Sequence, residues 1–99
     1  MLIRSQNRET IVNVDATNHI FIGEVYRPNG TLYDVCADKM RLGYYLTKTT
    51  AMKVLDMIQE AYSEYQIMLN FSVSYLHEFK EKTDGFAIFQ MPEDSEVEV

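Results

Sequence analysis

The sequence predicts an α+β fold: an antiparallel β-meander of about five strands packed on one long C-terminal helix, with a final short strand. Three observations carry this reading. Over the first 46 residues, short runs of β-branched and aromatic residues alternate with polar turn clusters. From Thr47 to Thr83 the chain then runs without a Gly or Pro, and its apolar residues recur at helical spacing. Finally, Phe86-Ala87-Ile88-Phe89-Gln90-Met91 is a compact apolar run closed by Pro92. Ninety-nine residues with 46% hydrophobic content suit one domain, placed at 1–92, near the size where a single core is adequate but not generous.

Strands are expected at about 2–5, 10–14, 19–26, 31–36 and 40–46. Leu2-Ile3-Arg4-Ser5 leads into the polar cluster Gln6-Asn7-Arg8-Glu9, which reads as a tight turn. Thr10 to Val14 is β-branched and is punctuated by Asp15-Ala16-Thr17-Asn18. The clearest strand is His19 to Tyr26. Its return is signalled by Arg27-Pro28-Asn29-Gly30, because Pro presets a turn's backbone and Asn-Gly accepts the positive φ of a tight reversal. Short connections between all of these imply antiparallel neighbours.

The helix is expected from about 48 to 82. Ala51, Val54, Leu55, Ile58, Ala61, Tyr62 and Tyr65 form one stripe, with Lys53, Asp56, Gln59, Glu60 and Glu64 opposite. Beyond Gln66 the alternation of Ile67, Leu69, Phe71, Val73 and Tyr75 also fits a strand. Helical phase aligns Asn70, Ser74, His77, Glu78 and Glu81 with the polar face of the first half, which favours a continuing helix. The alternative is a break near Tyr65-Gln66 and a hairpin folded back onto the sheet. Thr47 is the expected N-cap. A helix of that length would be on the order of 50 Å, longer than its own sheet. Its far half, with Met68, Phe71, Tyr75, Leu76 and Phe79, therefore reads as an oligomer interface.

Charge narrows the partners. The formal net charge is -6, but four of the fifteen acids lie in the last seven residues, and residues 1–92 hold nine bases against eleven acids. No basic stripe is available to displace counterions from a phosphate backbone, so direct nucleic-acid binding is not expected. The segment 93–99 reads as an acidic mobile tail. Cys36 is the single cysteine, and the two histidines, His19 and His77, fall in different elements, so neither a disulfide nor a metal site is expected. No signal-peptide core or membrane-length apolar run occurs, and a cytoplasmic location is expected.

The candidate ligand site is built from bases and aromatics of the first half: Arg8, Arg27, Arg41, Tyr44, Tyr45, Thr47 and Lys48. Hairpin tips could carry Arg8 and Arg27 toward the amides at the start of the helix, where a phosphate would be held while Tyr44 or Tyr45 stacks on a base. The competing reading makes these bases surface residues paired with nearby acids, and the tyrosines core. No nucleophile elbow, phosphate loop, metal spacing or cofactor motif is present, so neither catalysis nor a cofactor is expected.

Three stretches carry a resemblance. Ile3-Arg4-Ser5-Gln6 with Ile11-Val12-Asn13, Gly43-Tyr44-Tyr45 with Lys53-Val54-Leu55-Asp56-Met57-Ile58, and Phe89-Gln90-Met91-Pro92-Glu93-Asp94-Ser95-Glu96-Val97 resemble a widespread group of small accessory proteins of prophages and mobile elements in Gram-positive bacteria. Residues 66–85 show no correspondence to the group. The resemblance implies a phage accessory protein in the host cytoplasm, of a kind that often inhibits a host system, and it assigns no catalytic or binding residue. The leading expectation is an anti-defence inhibitor that binds a host defence protein or sequesters a nucleotide signal. A structural or assembly role, with the helix driving homo-oligomerisation and no ligand, is the alternative.

Overall fold

A computed structural model describes residues 1–70 and 88–99. The described chain folds as α+β, with two three-stranded sheets and one helix around a shared core. The first sheet has the order β2-β1-β6, from Leu2–Arg4 (β1), Ile11–Asn13 (β2) and Ile88–Gln90 (β6). The second has the order β3-β4-β5, from Ile20–Arg27 (β3), Gly30–Ala37 (β4) and Met40–Tyr45 (β5). Helix α1, Lys48–Leu69, packs on the second sheet.

The hairpin signalled by Pro28-Asn29-Gly30 forms in full register, with Phe21 opposite Cys36 and Gly23 opposite Asp34. Gly30 takes the positive φ of +135° that the reversal needs. The β4–β5 turn places Asp38 at φ 52°, where its carboxylate accepts the amides of Asn18 and His19, each at 3.2 Å. Strand alternation puts Val35, Ala37 and Tyr45 toward the helix, where all three are buried. Thr47 caps α1 by accepting the Thr50 amide at 3.1 Å, and the expected stripe buries Ala51, Val54 and Ile58.

Three expectations are corrected. The strands do not form one meander: a 3-10 turn at Val14–Ala16, closed by Thr17 donating to the Val14 carbonyl, carries the chain from the first sheet to the second. The helix is mid-chain, because β6 returns to pair parallel with β1 and so brings chain ends 86 positions apart into register, Leu2 with Ile88. The acidic segment 93–99 is seated through Val97 rather than trailing. Glu93 and Glu96 form a reciprocal capping box around a 3-10 turn, Asp94 Oδ1 accepts the Leu46 amide at 2.9 Å, and Val97 is only 8% exposed. Apolar Met91 and Val97 belong to the core, and their burial fixes the acids between them on the surface. The helix is described as far as Leu69, so residues 71–82 of the expected helix and 86–87 of the last expected strand lie outside the described residues.

The seam between the sheets is held by Gln6. Its backbone amide donates to the Leu42 carbonyl at 2.7 Å. Its carboxamide accepts the Tyr44 amide at 3.0 Å and donates to the carbonyls of Tyr44 and Pro92, both at 3.1 Å. One side chain thus satisfies both polar groups of a β5 residue as a neighbouring strand would. Gln6→Ala is expected to destabilise the fold by on the order of 2 kcal/mol, and Gln6→Glu by a similar amount, because a carboxylate keeps the acceptor and loses both donated bonds. Urea denaturation followed by circular dichroism measures both.

Candidate functional site

The second sheet has an outer face turned away from the helix. Alternation and register place Phe21, Gly23, Arg27, Asp34, Cys36, Arg41 and Tyr44 on it. A register shift between Val35 and Cys36 brings Arg41 opposite Cys36, within reach of Asp34. Arg41 Nε donates to Asp34 Oδ2 at 2.8 Å, and Arg41 Nη1 donates to the Tyr44 hydroxyl. The Arg41 guanidinium carbon stands 4.6 Å from the centre of the Tyr44 ring, and that of Arg27 stands 5.9 Å from it. Two cations therefore share one aromatic quadrupole, an arrangement that draws them together across the width of β4.

Asp34 is the buried partner in this cluster. Its side chain is 7% exposed against 47% for Arg41, and its Oδ1 has no hydrogen-bond donor. Gly23 makes the room it needs: a Cβ at position 23 would overlap Asp34 Oδ1. Cys36 lies beside the same carboxylate. Burial, and then the Asp34 charge, push its thiol up to about 11, so it is protonated at neutral pH and a poor nucleophile.

The structure brings together three of the seven expected ligand residues: Arg27, Arg41 and Tyr44. Arg8 sits in the β1–β2 turn at φ 68°, where its carbonyl accepts Arg4 Nε at 3.1 Å, and it takes no part in the contacts around Tyr44. Tyr45 is core: it is 1% exposed, and its hydroxyl donates to the Pro92 carbonyl at 2.8 Å. Burial, reinforced by Glu93, Asp94 and Glu96, pushes that phenol well above its usual range. It has no face free to stack on a base. Thr47 is occupied as the cap, and Lys48 is exposed in the first turn of α1. The helix entrance expected to take a phosphate already has the Asp94 carboxylate on the Leu46 amide, with Glu93 and Glu96 nearby in sequence. That negative charge opposes a second anion.

Of the expected interface residues, Met68 is half-buried on α1, while Ile67 and Leu69 are 61% and 51% exposed. Phe71, Tyr75, Leu76 and Phe79 lie outside the described residues. Among the described residues no group of three or more His, Cys, Asp or Glu is placed to hold a metal, and no helix is long and apolar enough to cross a membrane. Sequence reasoning missed Asp34 and Gly23, whose roles depend on a cross-strand register no local pattern reveals.

Shallow clefts flank the arginines. One of about 260 Å³ runs between Gln6, Asn7, Arg41 and Tyr44, and another of about 440 Å³ lies along Arg27, Asn29, Thr31 and Leu46. A third of about 380 Å³ opens between α1 and the start of β3, lined by Val14, Ile20, Leu55, Ile58 and Tyr62. No family model, curated protein or solved structure matches this chain.

Two measurements probe this face. Gly23→Ala is expected to cost about 1–3 kcal/mol in chemical denaturation, because the added methyl must displace the Asp34 carboxylate from its seat. Iodoacetamide should label Cys36 at pH 8 more than about tenfold slower than a free cysteine, with the rate climbing as pH approaches the thiol's raised value. Equal labelling rates would show that the thiol is not held by burial and Asp34.

Proposed function

We propose that this chain is an accessory binding protein, an inhibitor of a host defence protein of the kind its resemblance implies, and that it engages its target through the outer face of β3–β5 around Arg27 and Tyr44. The observation that carries the reading is the exposed Arg27 guanidinium over Tyr44, which has no carboxylate within ion-pair distance among the described residues. Arg41 is neutralised by Asp34, so Arg27 supplies the uncompensated charge. An exposed arginine against an aromatic ring is a common anchor in protein interfaces, where it meets an acidic group of the partner.

A protein target is favoured over a nucleotide signal. Tyr45 is core, the Tyr44 ring is engaged by Arg27 and Arg41, and the helix entrance carries Asp94, all of which argue against the expected base-and-phosphate arrangement. The clefts beside Arg27 and Arg41 are shallow, whereas a sequestering site encloses most of its ligand. The alternative of a structural or assembly protein without a ligand draws its support from exposed Ile67 and Leu69 near the described end of α1.

Expression in a host carrying defined defence systems, followed by phage challenge, tests the proposal. The wild-type chain is expected to restore plating on one such host, and Arg27→Glu to reduce that restoration by at least about tenfold through charge reversal at the contact. Arg27 is exposed, so the variant should keep wild-type stability in the same denaturation assay. Unchanged restoration by Arg27→Glu would remove this face from the function. A nucleotide released on denaturing the purified protein would favour sequestration, and loss of assemblies without any defence phenotype would favour the structural reading.

A further inference from the structure

We propose that β3 is a dimer edge, pairing antiparallel with β3 of a second copy about a twofold axis beside Gly23. This goes beyond the binding face around Arg27 and does not depend on it.

The two outer edges of the second sheet are unlike. The far edge of β5 is closed by Gln6, which bonds to Leu42 and Tyr44. The far edge of β3 has no strand beside it among the described residues. It is eight residues long, pairs with β4 without a register shift, and contains no Lys or Pro. It therefore lacks the shortness, bulge, Lys and Pro by which many exposed edges avoid association, and the charges it does carry are Glu24 and Arg27.

Hydrogen-bond phase shows which groups this edge offers. Asp38 N donates to the His19 carbonyl, and antiparallel pairing alternates, so the odd-numbered residues of β3 bond to β4. Ile20, Ile22, Glu24 and Tyr26 therefore direct their amides and carbonyls outward. An antiparallel pair related by a twofold axis normal to the sheet keeps like faces together, which permits only an axis passing through a residue position. An axis at Glu24 would set two carboxylates directly opposite each other, which is destabilising. An axis at Ile22 would leave Val25, Tyr26 and Arg27 beyond the end of the partner strand. An axis at Gly23 pairs everything from Ile20 to Tyr26, with Ile22 opposite Glu24 of the second copy, and the carboxylates it brings nearest each other are those of Asp34, which lie over Gly23 and are each paired with Arg41.

Side chains agree with that axis. Phe21, 37% exposed and stacked on His19 at 5.0 Å, would meet Val25 of the second copy on the outer face. Tyr26, 77% exposed, would meet Ile20 on the other. Aromatic residues opposite β-branched ones are favourable cross-strand pairs. The product is a continuous six-stranded sheet with both Arg27–Tyr44 clusters on one side.

The test uses disulfide trapping together with sedimentation. In a Cys36→Ser background, needed because Cys36 faces position 21 in β4, Phe21→Cys with Val25→Cys sets two cysteines opposite each other across the axis. Within one chain these positions lie four residues apart along an extended strand, too far to bridge. Mild oxidation is expected to give a covalent dimer from the double variant and none from either single variant. Sedimentation is expected to show a dimer for the wild type, with its dissociation constant raised at least about tenfold by Glu24→Pro, which removes an outward amide and leaves the β4 pairing intact. A wild-type protein that stays monomeric up to about 0.1 mM overturns the proposal. So does a dimer that the double variant fails to trap, including one built on the helix. If Glu24→Pro unfolds by circular dichroism, the trapping result decides. Binding of the edge only to a strand from another protein would also overturn self-pairing.

Discussion

Where two separate sheets meet, backbone amides and carbonyls are left at the seam, and a buried polar group without a partner costs more than most single contacts return. The fold of this protein depends on how that seam is closed. Gln6 is the residue that closes it, because a carboxamide carries one acceptor and two donors on one plane, the complement of a strand residue's edge. Through it the first sheet is tied to β5 and to the carbonyl of Pro92. Gln90 repeats the device one strand away, donating to the carbonyls of Ser5 and Met91.

The C-terminal segment depends on that closure. Pro92 presents its carbonyl to Gln6 and to the Tyr45 hydroxyl at once. Asp94 then reaches the Leu46 amide, immediately before the cap of α1, so the strand-to-helix turn and the chain end hold each other. The acids that give the chain its excess negative charge are spent locally: Asp94 at the helix entrance, and Glu93 and Glu96 on each other's backbone amides. On the outer face of the second sheet Arg41 is paired with Asp34, and Arg27 is the cation left without a carboxylate within ion-pair distance among the described residues.

Much of the local structure was legible in the sequence. Pro28-Asn29-Gly30 specified the hairpin because turn geometry is a property of adjacent residues, and Ala51, Val54 and Ile58 specified the buried helix stripe because helical phase is local too. The partition into two sheets was not legible. It rests on a parallel pairing between Leu2–Arg4 and Ile88–Gln90, and no periodicity within three-residue strands says which distant strand they will meet. The candidate site divided along the same line. Arg27, Arg41 and Tyr44 were visible as residue types, whereas Tyr45, one position along, alternates to the core side and is buried. Gln6 was visible as a member of a polar turn cluster and of the stretch Ile3-Arg4-Ser5-Gln6, with no role assigned to it. Its side chain gains meaning from Tyr44, thirty-eight positions away.

Gly23 joins the chemistry of the outer face to the geometry of the β3 edge. Interior glycine weakens a strand, so its presence at the middle of β3 calls for a compensating reason. The seat for Asp34 is one: without a Cβ at position 23, the carboxylate takes that space and pairs with Arg41 beside Tyr44. That arrangement leaves the centre of β3 without a side chain of its own on the outer face, the space being taken by the Asp34 carboxylate reaching across from β4. The protective charge on the strand is Glu24, which points to the other face and whose carboxylate already accepts the Tyr26 hydroxyl at 2.6 Å. A glycine kept for the buried ion pair thus leaves the edge without a side chain of its own at one position. Glu24 beside it and the Arg41-paired Asp34 over it are the carboxylates that constrain the register a second strand could adopt.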